Sequence, residues 1–262
     1  MALHLECVPE HAQRLAATLF PATEDLGFVL AGGTGLALQF GHRISVDFDL
    51  FAPPEKYPGR PLDRVRRAAD ALQVIQDKHD TLDVLLDRVK CSFFSYPYPF
   101  SAFAGRFHGV ALADALDIAA MKLVAISRRG ARKDFIDLYV CLRRHSFEAV
   151  FANALHRFGR DSMNPLHIGK SLAYFADAEN DPDPPFAGES VRWASVEEFF
   201  RAHARSSVEH MTAAARRSIR ARRDRVLTWR ECGHPSPGLP FTTRGSCGPG
   251  RGTVSGRRRL RH

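Results

Sequence analysis

Cysteine is scarce and scattered. The five present (Cys7, Cys91, Cys141, Cys232 and Cys247) form no CxxC pair, and their odd count and wide spacing exclude a disulfide framework and a zinc ribbon. No apolar run reaches the roughly 18–20 residues of a membrane span, and the N-terminal MALHLECVPEHAQ lacks the basic-then-apolar order of a secretory leader. The twelve histidines show neither HxxxH nor HExxH spacing, and there is no GxSxG. Zinc-hydrolase and serine-hydrolase signatures are therefore absent. A cytoplasmic protein with no membrane association is the expectation.

The 262 residues, 45% apolar and 25% charged, suffice for a substantial core in one large or two modest domains. The net charge of +8 hides a division. From Arg205 onward there are 14 Arg against 3 acids; the preceding residues carry 23 Lys/Arg against 26 Asp/Glu. The body is mildly acidic and the basic character belongs to the tail. From about Thr212 the chain becomes rich in Gly, Pro, Ser and Arg, and disorder is expected past about residue 230. Such a tail either binds RNA electrostatically or is a solvated extension the body does not need.

Along the body, residues 9–26 read as a helix with a turn at Pro21. In GFVLAGGTGLALQFG, Phe28 to Ala31 suit a strand, Gly32 and Gly33 a tight turn, and Thr34 to Phe40 a helix ended by Gly41. ISVDFDLFA alternates with the period of a strand over 44–52. RPLDRVRRAADAL predicts an amphipathic helix with Leu62, Val65, Ala69 and Leu72 inward. TLDVLLDRVKCSFFSYPYPF predicts two strands joined near Asp87-Arg88, then a proline-broken loop. Helical spacing begins again at Leu112, breaks at Gly130 and resumes, with a further pair over 147–158 and 165–179. A last helix is expected to be capped by Ser195.

Within this pattern Asp47 and Asp49 are the unusual feature. Residues i and i+2 of a strand share a face about 6.5–7 Å apart, so the two carboxylates can converge on a divalent cation. Mg²⁺ suits such a pair because it accepts carboxylate oxygens and takes further ligands from a nucleoside triphosphate. Gly32-Gly33-Thr34 is the complementary part: glycines admit phosphate oxygens to backbone N–H groups, and a helix N-terminus favours an anion. Either motif alone has a bland reading, a plain turn or a solvated strand face. Their order and spacing together fit one mechanism. Ser45 shares the predicted aspartate face, whereas Arg43 reads as a surface charge.

GGTGLAL and GHRISVDFDLF, followed by DIAAMKLVAISRRGARKDFIDLYVCL, resemble the AbiEii/AbiGii-type nucleotidyltransferase toxins of the DNA polymerase β-like nucleotidyltransferase superfamily. The resemblance spans roughly Phe28 to Ala204. It implies an α+β fold: a nucleotidyltransferase core with a mixed β-sheet flanked by helices, followed by a helical C-terminal half. Residues 1–110 would be the core, 111–210 a helical domain completing the active-site cleft, and 211–262 the basic, largely disordered tail. The family's motifs fall on Gly32, Gly33 and Thr34; on Asp47 and Asp49; on Lys122; and on Lys133, Asp134 and Asp137.

The implied catalytic set is Asp47, Asp49, Lys122, Asp134 and Asp137, with Asp47 and Asp49 holding metal. The implied nucleotide-binding set is Gly32, Gly33, Thr34, Ser45, Lys122 and Lys133. Mg²⁺ and an NTP are the implied cofactor and co-substrate, tRNA or another RNA the acceptor, and a cognate antitoxin the partner. From its residues alone, Lys122 is either a snorkelling surface lysine or a phosphate partner. Asp134 and Asp137 either orient Lys122 or an attacking group, or simply cap and pair locally with Arg132 or Lys133.

One position departs from the family pattern. In Lys90-Cys91-Ser92-Phe93, Ser92 stands where a third carboxylate is expected, and Asp83 on the preceding strand is the nearest substitute. The leading reading is a metal-dependent nucleotidyltransferase toxin. The alternatives are a degenerate nucleotide- or RNA-binding relative without turnover, and an interaction protein whose DxD is only a capped strand. The YPYPF of residues 96–100 is a rigid aromatic loop or a surface for stacking a base.

Overall fold

The computed structural model describes residues 2–57, 61–159 and 162–231, with side chains of the last helix as far as Arg216. Seven strands form one mixed sheet: β1 (Val29–Leu30), β2 (Phe48–Ala52), β3 (Leu72–Lys78), β4 (Thr81–Leu86), β5 (Val89–Ser95), β6 (Phe103–Phe107) and β7 (Val110–Ala113). Their spatial order is β3-β4-β5-β2-β1-β7-β6. The β1–β7 and β2–β5 pairs are parallel and the others antiparallel. The helices are α1 (Glu10–Ala22), α2 (Gly32–Phe40), α3 (Leu62–Val65), α4 (Ala115–Arg128), α5 (Arg132–Leu142), α6 (Phe147–Phe158), α7 (Pro165–Leu172), α8 (Ala176–Glu179) and α9 (Trp193–Glu231). The α+β class with a mixed sheet and a helix-rich second half is the one expected. The chain up to Ile219 forms one compact unit.

Strand alternation assigns the two faces of the sheet. Phe48, Leu50, Leu82, Val84, Cys91 and Phe93 join Leu15, Leu19 and Phe20 of α1 in one core. On the opposite face Phe51, Val29 and Ala113 pack with Ile118 and Leu123 of α4 and Phe135 and Leu138 of α5. Asp49 lies on this second face, two positions before Phe51, because successive side chains alternate.

Several local expectations are corrected. β2 begins at Phe48 rather than at Ile44. The residues before it bond outside any ladder: Ile44 N–H to the Pro185 carbonyl, Ser45 N–H to the Cys7 carbonyl, and the Thr34 hydroxyl to the Asp47 carbonyl. Asp47 thus ends a loop, and Asp49 lies in the strand proper. The helix expected over 60–72 stops at Val65, because Leu72 is taken into β3 opposite Leu86, and Ala71 and Asp87 bond each other at the strand end.

β3 itself gave no period-two signal, being a largely exposed edge strand with Val74 and Ile75 open to solvent. Val110–Ala113 is strand rather than helix; Asp114 caps α4 through the Leu116 N–H. α1 runs through Pro21 and ends one residue later, and α9 begins at Trp193, ahead of Ser195. The basic stretch from Thr212 is helical as far as Glu231. The disorder expected beyond residue 230 lies, from 232 onward, outside the described residues.

Candidate active site

The Gly32-Gly33-Thr34 turn is the start of α2 itself. Ala31 N–H bonds the Asp49 carbonyl, and Gly35 N–H is the first to bond back within the helix, to Ala31. The N–H groups of Gly32, Gly33 and Thr34 precede it, where a helix has no internal acceptors. Gly32 has φ +62°, and a Cβ there would collide with the Asp49 carboxylate. A Cβ on Gly33 would collide with the Arg43 guanidinium. Both glycines are required because one acidic and one basic side chain press against the turn. Thr34 and Ser45 are buried, and their hydroxyls bond each other at 2.9 Å. Together they tie the 41–47 loop beneath the start of α2.

Two carboxylate pairs lie near this turn in contrasting states. Asp134 and Asp137, one helical turn apart on α5, are buried. Lys122 Nζ, from α4, donates to Asp134 Oδ1 and Asp137 Oδ2, both at 2.7 Å. Arg43 grips Asp137 with two prongs, Nε to Oδ1 at 2.7 Å and Nη2 to Oδ2 at 2.9 Å. His42 Nε2 completes the shell, 2.8 Å from Asp137 Oδ1.

Burial alone would raise the Asp137 carboxyl, but Arg43 and Lys122 outweigh it and hold the group well below the ordinary carboxylate range. Burial likewise opposes the charge of Lys122, and Asp137 and Asp134 outweigh it, so the ammonium titrates above its usual value. The two anions are thus matched by the buried cations Lys122 and Arg43, with Arg129 Nε a further 3.8 Å from Asp134 Oδ2.

Asp47 and Asp49 have no such counterions. Asp47 is exposed and Asp49 half-buried. Among the described residues neither carboxylate has a hydrogen-bond or ion-pair partner. Burial is the largest influence on Asp49 and raises its carboxyl above the usual range; Lys122 opposes the rise without bonding to it, Asp47 adds to it, and Lys133 and Lys90 oppose it more weakly. Lys133 is exposed at the start of α5. Two carboxylates with unmet negative charge, next to free helix N–H groups, have the donor chemistry of a divalent-cation and polyphosphate site.

Ser92 is in register with Asp49 on one side and Asp83 on the other. All three therefore project from one face, with Ser92 buried between. Asp83 is two strands from Asp49, roughly 10 Å at the usual strand spacing, so no third carboxylate adjoins Asp49 within the sheet. Asp83 Oδ1 is buried without a hydrogen-bond partner.

The structure thus brings Gly32, Gly33, Asp47, Asp49, Lys122, Asp134 and Asp137 into one neighbourhood, with Thr34 and Ser45 beneath it and Lys133 at its edge. It corrects the reading of Arg43 as a surface charge, since Arg43 is buried against Gly33 and Asp137. His42 and Arg43 were the residues missed. The one available signal was a pair of basic residues between an apolar helix and an apolar strand, where solvent exposure is unexpected.

A sequence profile described as "Nucleotidyl transferase AbiEii toxin, Type IV TA system" matches residues 13–215. The chain is 37% identical over 190 residues to a protein of Aquifex aeolicus (strain VF5) described as uncharacterized, covering 70% of this chain and 89% of that one. Among solved structures it is similar to MenT4, a nucleotidyltransferase toxin from Mycobacterium tuberculosis H37Rv, with a TM-score of 0.51 and 20% identity over 77% of this chain and 82% of that one. The last similarity concerns the fold.

Proposed function

The chain belongs to the AbiEii family of nucleotidyltransferase toxins of type IV toxin–antitoxin systems, and from that premise we propose that it moves a nucleotidyl group from an NTP to a hydroxyl of tRNA or another RNA, with Mg²⁺ held by Asp47 and Asp49. The observation that carries this reading is the contrast just described: a buried cluster whose carboxylates are ion-paired, and beside it a carboxylate pair that is not.

Asp47 and Asp49 would hold the divalent cation, which when bound supplies stabilisation of the charge developing on the phosphates. The N–H groups of Gly32 and Gly33 receive phosphate oxygens at the start of α2. Lys122 has three N–H donors, two of them given to Asp134 and Asp137, and the third serves a phosphate oxygen. Arg43 and Asp137 hold Lys122 and the glycine turn in fixed relation, so little reorganisation accompanies the reaction. Lys133 adds positive charge at the entrance.

In the transfer, an acceptor hydroxyl oxygen bonds to the α-phosphorus as the bond to the bridging oxygen breaks and pyrophosphate leaves. With Ser92 beside Asp49, no neighbouring carboxylate takes the hydroxyl proton, which passes to solvent. Phosphoryl transfer depends chiefly on positioning and electrostatics, so such a site remains competent. Residues 1–110 act as the nucleotide-holding core and 111–210 as the helical part that supplies Lys122 and the Asp134/Asp137 pair. A cognate antitoxin is the expected protein partner.

The test is incubation with each α-labelled NTP, Mg²⁺ and total RNA. Label passes to RNA with the wild type and not with Asp47→Ala or Asp49→Ala; undiminished transfer by both variants contradicts the mechanism. Ser92 specifically favours a second reading, nucleotide binding without turnover. Tight NTP binding with no product from any RNA pool is the outcome that selects it.

A further inference from the structure

The YPYPF segment is held as a fixed wall. Tyr96 N–H bonds the Ala52 carbonyl at the end of β2. Behind the loop, Arg157 of α6 is buried: its Nε donates to the Pro99 carbonyl at 2.9 Å and its Nη1 to the Asp117 carbonyl at 2.8 Å. The same guanidinium lies 4.8 Å from the Phe100 ring centroid and 5.1 Å from that of Phe158. Asp117 Oδ2 accepts the Ser101 N–H at 2.6 Å, and its Oδ1 accepts from Asn153 at 2.7 Å. A loop with this many buried attachments is preformed.

In front of that wall lies a cavity of about 480 Å³ whose lining includes Phe51, Phe94, Tyr96 and Tyr98 on one side and Met121 and Arg128 of α4 on the other. Phe51 and Phe94 stack at 4.9 Å with their planes 21° apart, and Tyr96 meets Phe51 edge-on at 5.0 Å. Tyr98 is braced from the side by Phe158 at 5.0 Å. The location is the telling part. Phe51 is two residues beyond Asp49 on the same strand face, and Phe94 two beyond Ser92, so the aromatic floor begins roughly 7 Å from the carboxylate along the strands. On α4, Met121 precedes Lys122 directly. Exposed Arg128 puts a cation on the rim.

We propose that this cavity receives the nucleobase of the NTP whose phosphates lie at Gly32, Asp49 and Lys122, and that the Arg157-clamped loop is the prebuilt platform on which the base stacks. The inference rests on the nucleotidyl-transfer reading and assigns it a base subsite. Aromatic walls suit a flat heterocycle, since stacking uses the π-face every base presents. The aromatic floor shares the sheet face of Asp49 and Ser92, two residues further along β2 and β5. The rim arginine favours an anionic ligand over a neutral apolar one.

The test is calorimetry with Mg²⁺ plus ATP, GTP, CTP or UTP, with Mg²⁺ plus inorganic tripolyphosphate, and with a short single-stranded RNA. Each is measured on the wild type, Tyr98→Ala, Tyr98→Phe and Ala125→Phe. Tyr98 and Ala125 are only partly buried and both line the cavity, and melting curves check that each variant folds. The wild type binds the preferred NTP more tightly than tripolyphosphate. Tyr98→Ala, which loses a stacking ring, and Ala125→Phe, which fills the cavity, each weaken NTP about tenfold and leave tripolyphosphate unchanged. Tyr98→Phe keeps NTP affinity.

Three outcomes overturn the assignment: NTP bound no better than tripolyphosphate by the wild type, NTP affinity unchanged in folded Ala125→Phe, or variants that lose RNA affinity alone, which would give the pocket to the acceptor. If the wild type binds neither NTP nor tripolyphosphate, the nucleotidyl-transfer reading itself fails and the base subsite falls with it.

Discussion

Asp134/Asp137 and Asp47/Asp49 are pairs of the same residue in one neighbourhood, and they do different work because of what surrounds them. The first pair comes from a helix whose spacing points both carboxylates at Lys122, and Arg43 closes the remaining side. The second comes from a loop end and a strand, and among the described residues neither carboxylate has an ion-pair partner, Lys122 acting on Asp49 only through the field. A carboxylate pair satisfied within the protein is architecture; one left unsatisfied is a place for a ligand. The difference can be broken from either side.

The largest effect is expected on activity. Asp49→Asn removes charge where it is unmet, and nucleotidyl transfer should fall by at least about 10³-fold with the apo melting temperature unchanged or raised. Labelled-NTP transfer and a thermal melt on the same preparation check both halves. Equal loss of activity and stability would mean that Asp49 is structural.

Next comes the converse. Asp137→Asn leaves buried Arg43 without its anion and Lys122 with Asp134 alone, at a cost of about 3–5 kcal/mol, read as a shift of the denaturant midpoint. The double variant Arg43→Met/Asp137→Asn should recover part of that loss, because an unmatched buried charge costs more than a missing pair. Strict additivity of the two single changes would show that the groups are not coupled.

Acid sharpens the same contrast. The Asp137 carboxyl is depressed in the folded chain, so the stability it contributes is complete above the ordinary carboxylate range near pH 4 and is lost as pH falls below it toward the folded value. Asp49 is raised instead, so it opposes folding when ionised and ceases to do so on protonation. Asp137→Asn should therefore flatten the acid limb of a stability–pH curve, and Asp49→Asn should steepen it slightly.

A smaller effect tests the vacancy beside Asp49. Ser92→Asp adds a third carboxylate in register with Asp49, and like charges at this distance should lower apo stability by about 1 kcal/mol. The same variant should gain more stability from added Mg²⁺ than the wild type does. A melt with and without the metal measures both, and an unchanged metal increment would place Ser92 away from the cation.

Much of this site was legible in the sequence because its signals are local. Gly32-Gly33-Thr34 announces a turn and helix, Asp47 and Asp49 stand out against Phe48 and Leu50, and Lys122 interrupts an apolar helix. What stayed hidden is what depends on contacts across the chain. Arg43 looks like any loop arginine until Asp137, 94 positions later, is known to sit against it. The loop character of 44–47 was masked by an alternating pattern that is really set by bonds to Cys7, Thr34 and Pro185. β3 was missed for the opposite reason: at a sheet edge with both faces largely wet, it needs no apolar alternation. The mixed sheet and helical second half were legible through the resemblance, whereas the register placing Ser92 between Asp49 and Asp83 required coordinates.

The most direct test of the central claim is a melting curve of the wild type and Asp49→Asn, each alone and with Mg²⁺ plus saturating NTP. Unmet charge at Asp49 predicts that the apo variant melts at or above the wild type, and that the ligand-induced rise seen in the wild type disappears in the variant. An apo variant that melts well below the wild type yet keeps the full ligand increment would show that Asp49 was already partnered, and would contradict the account.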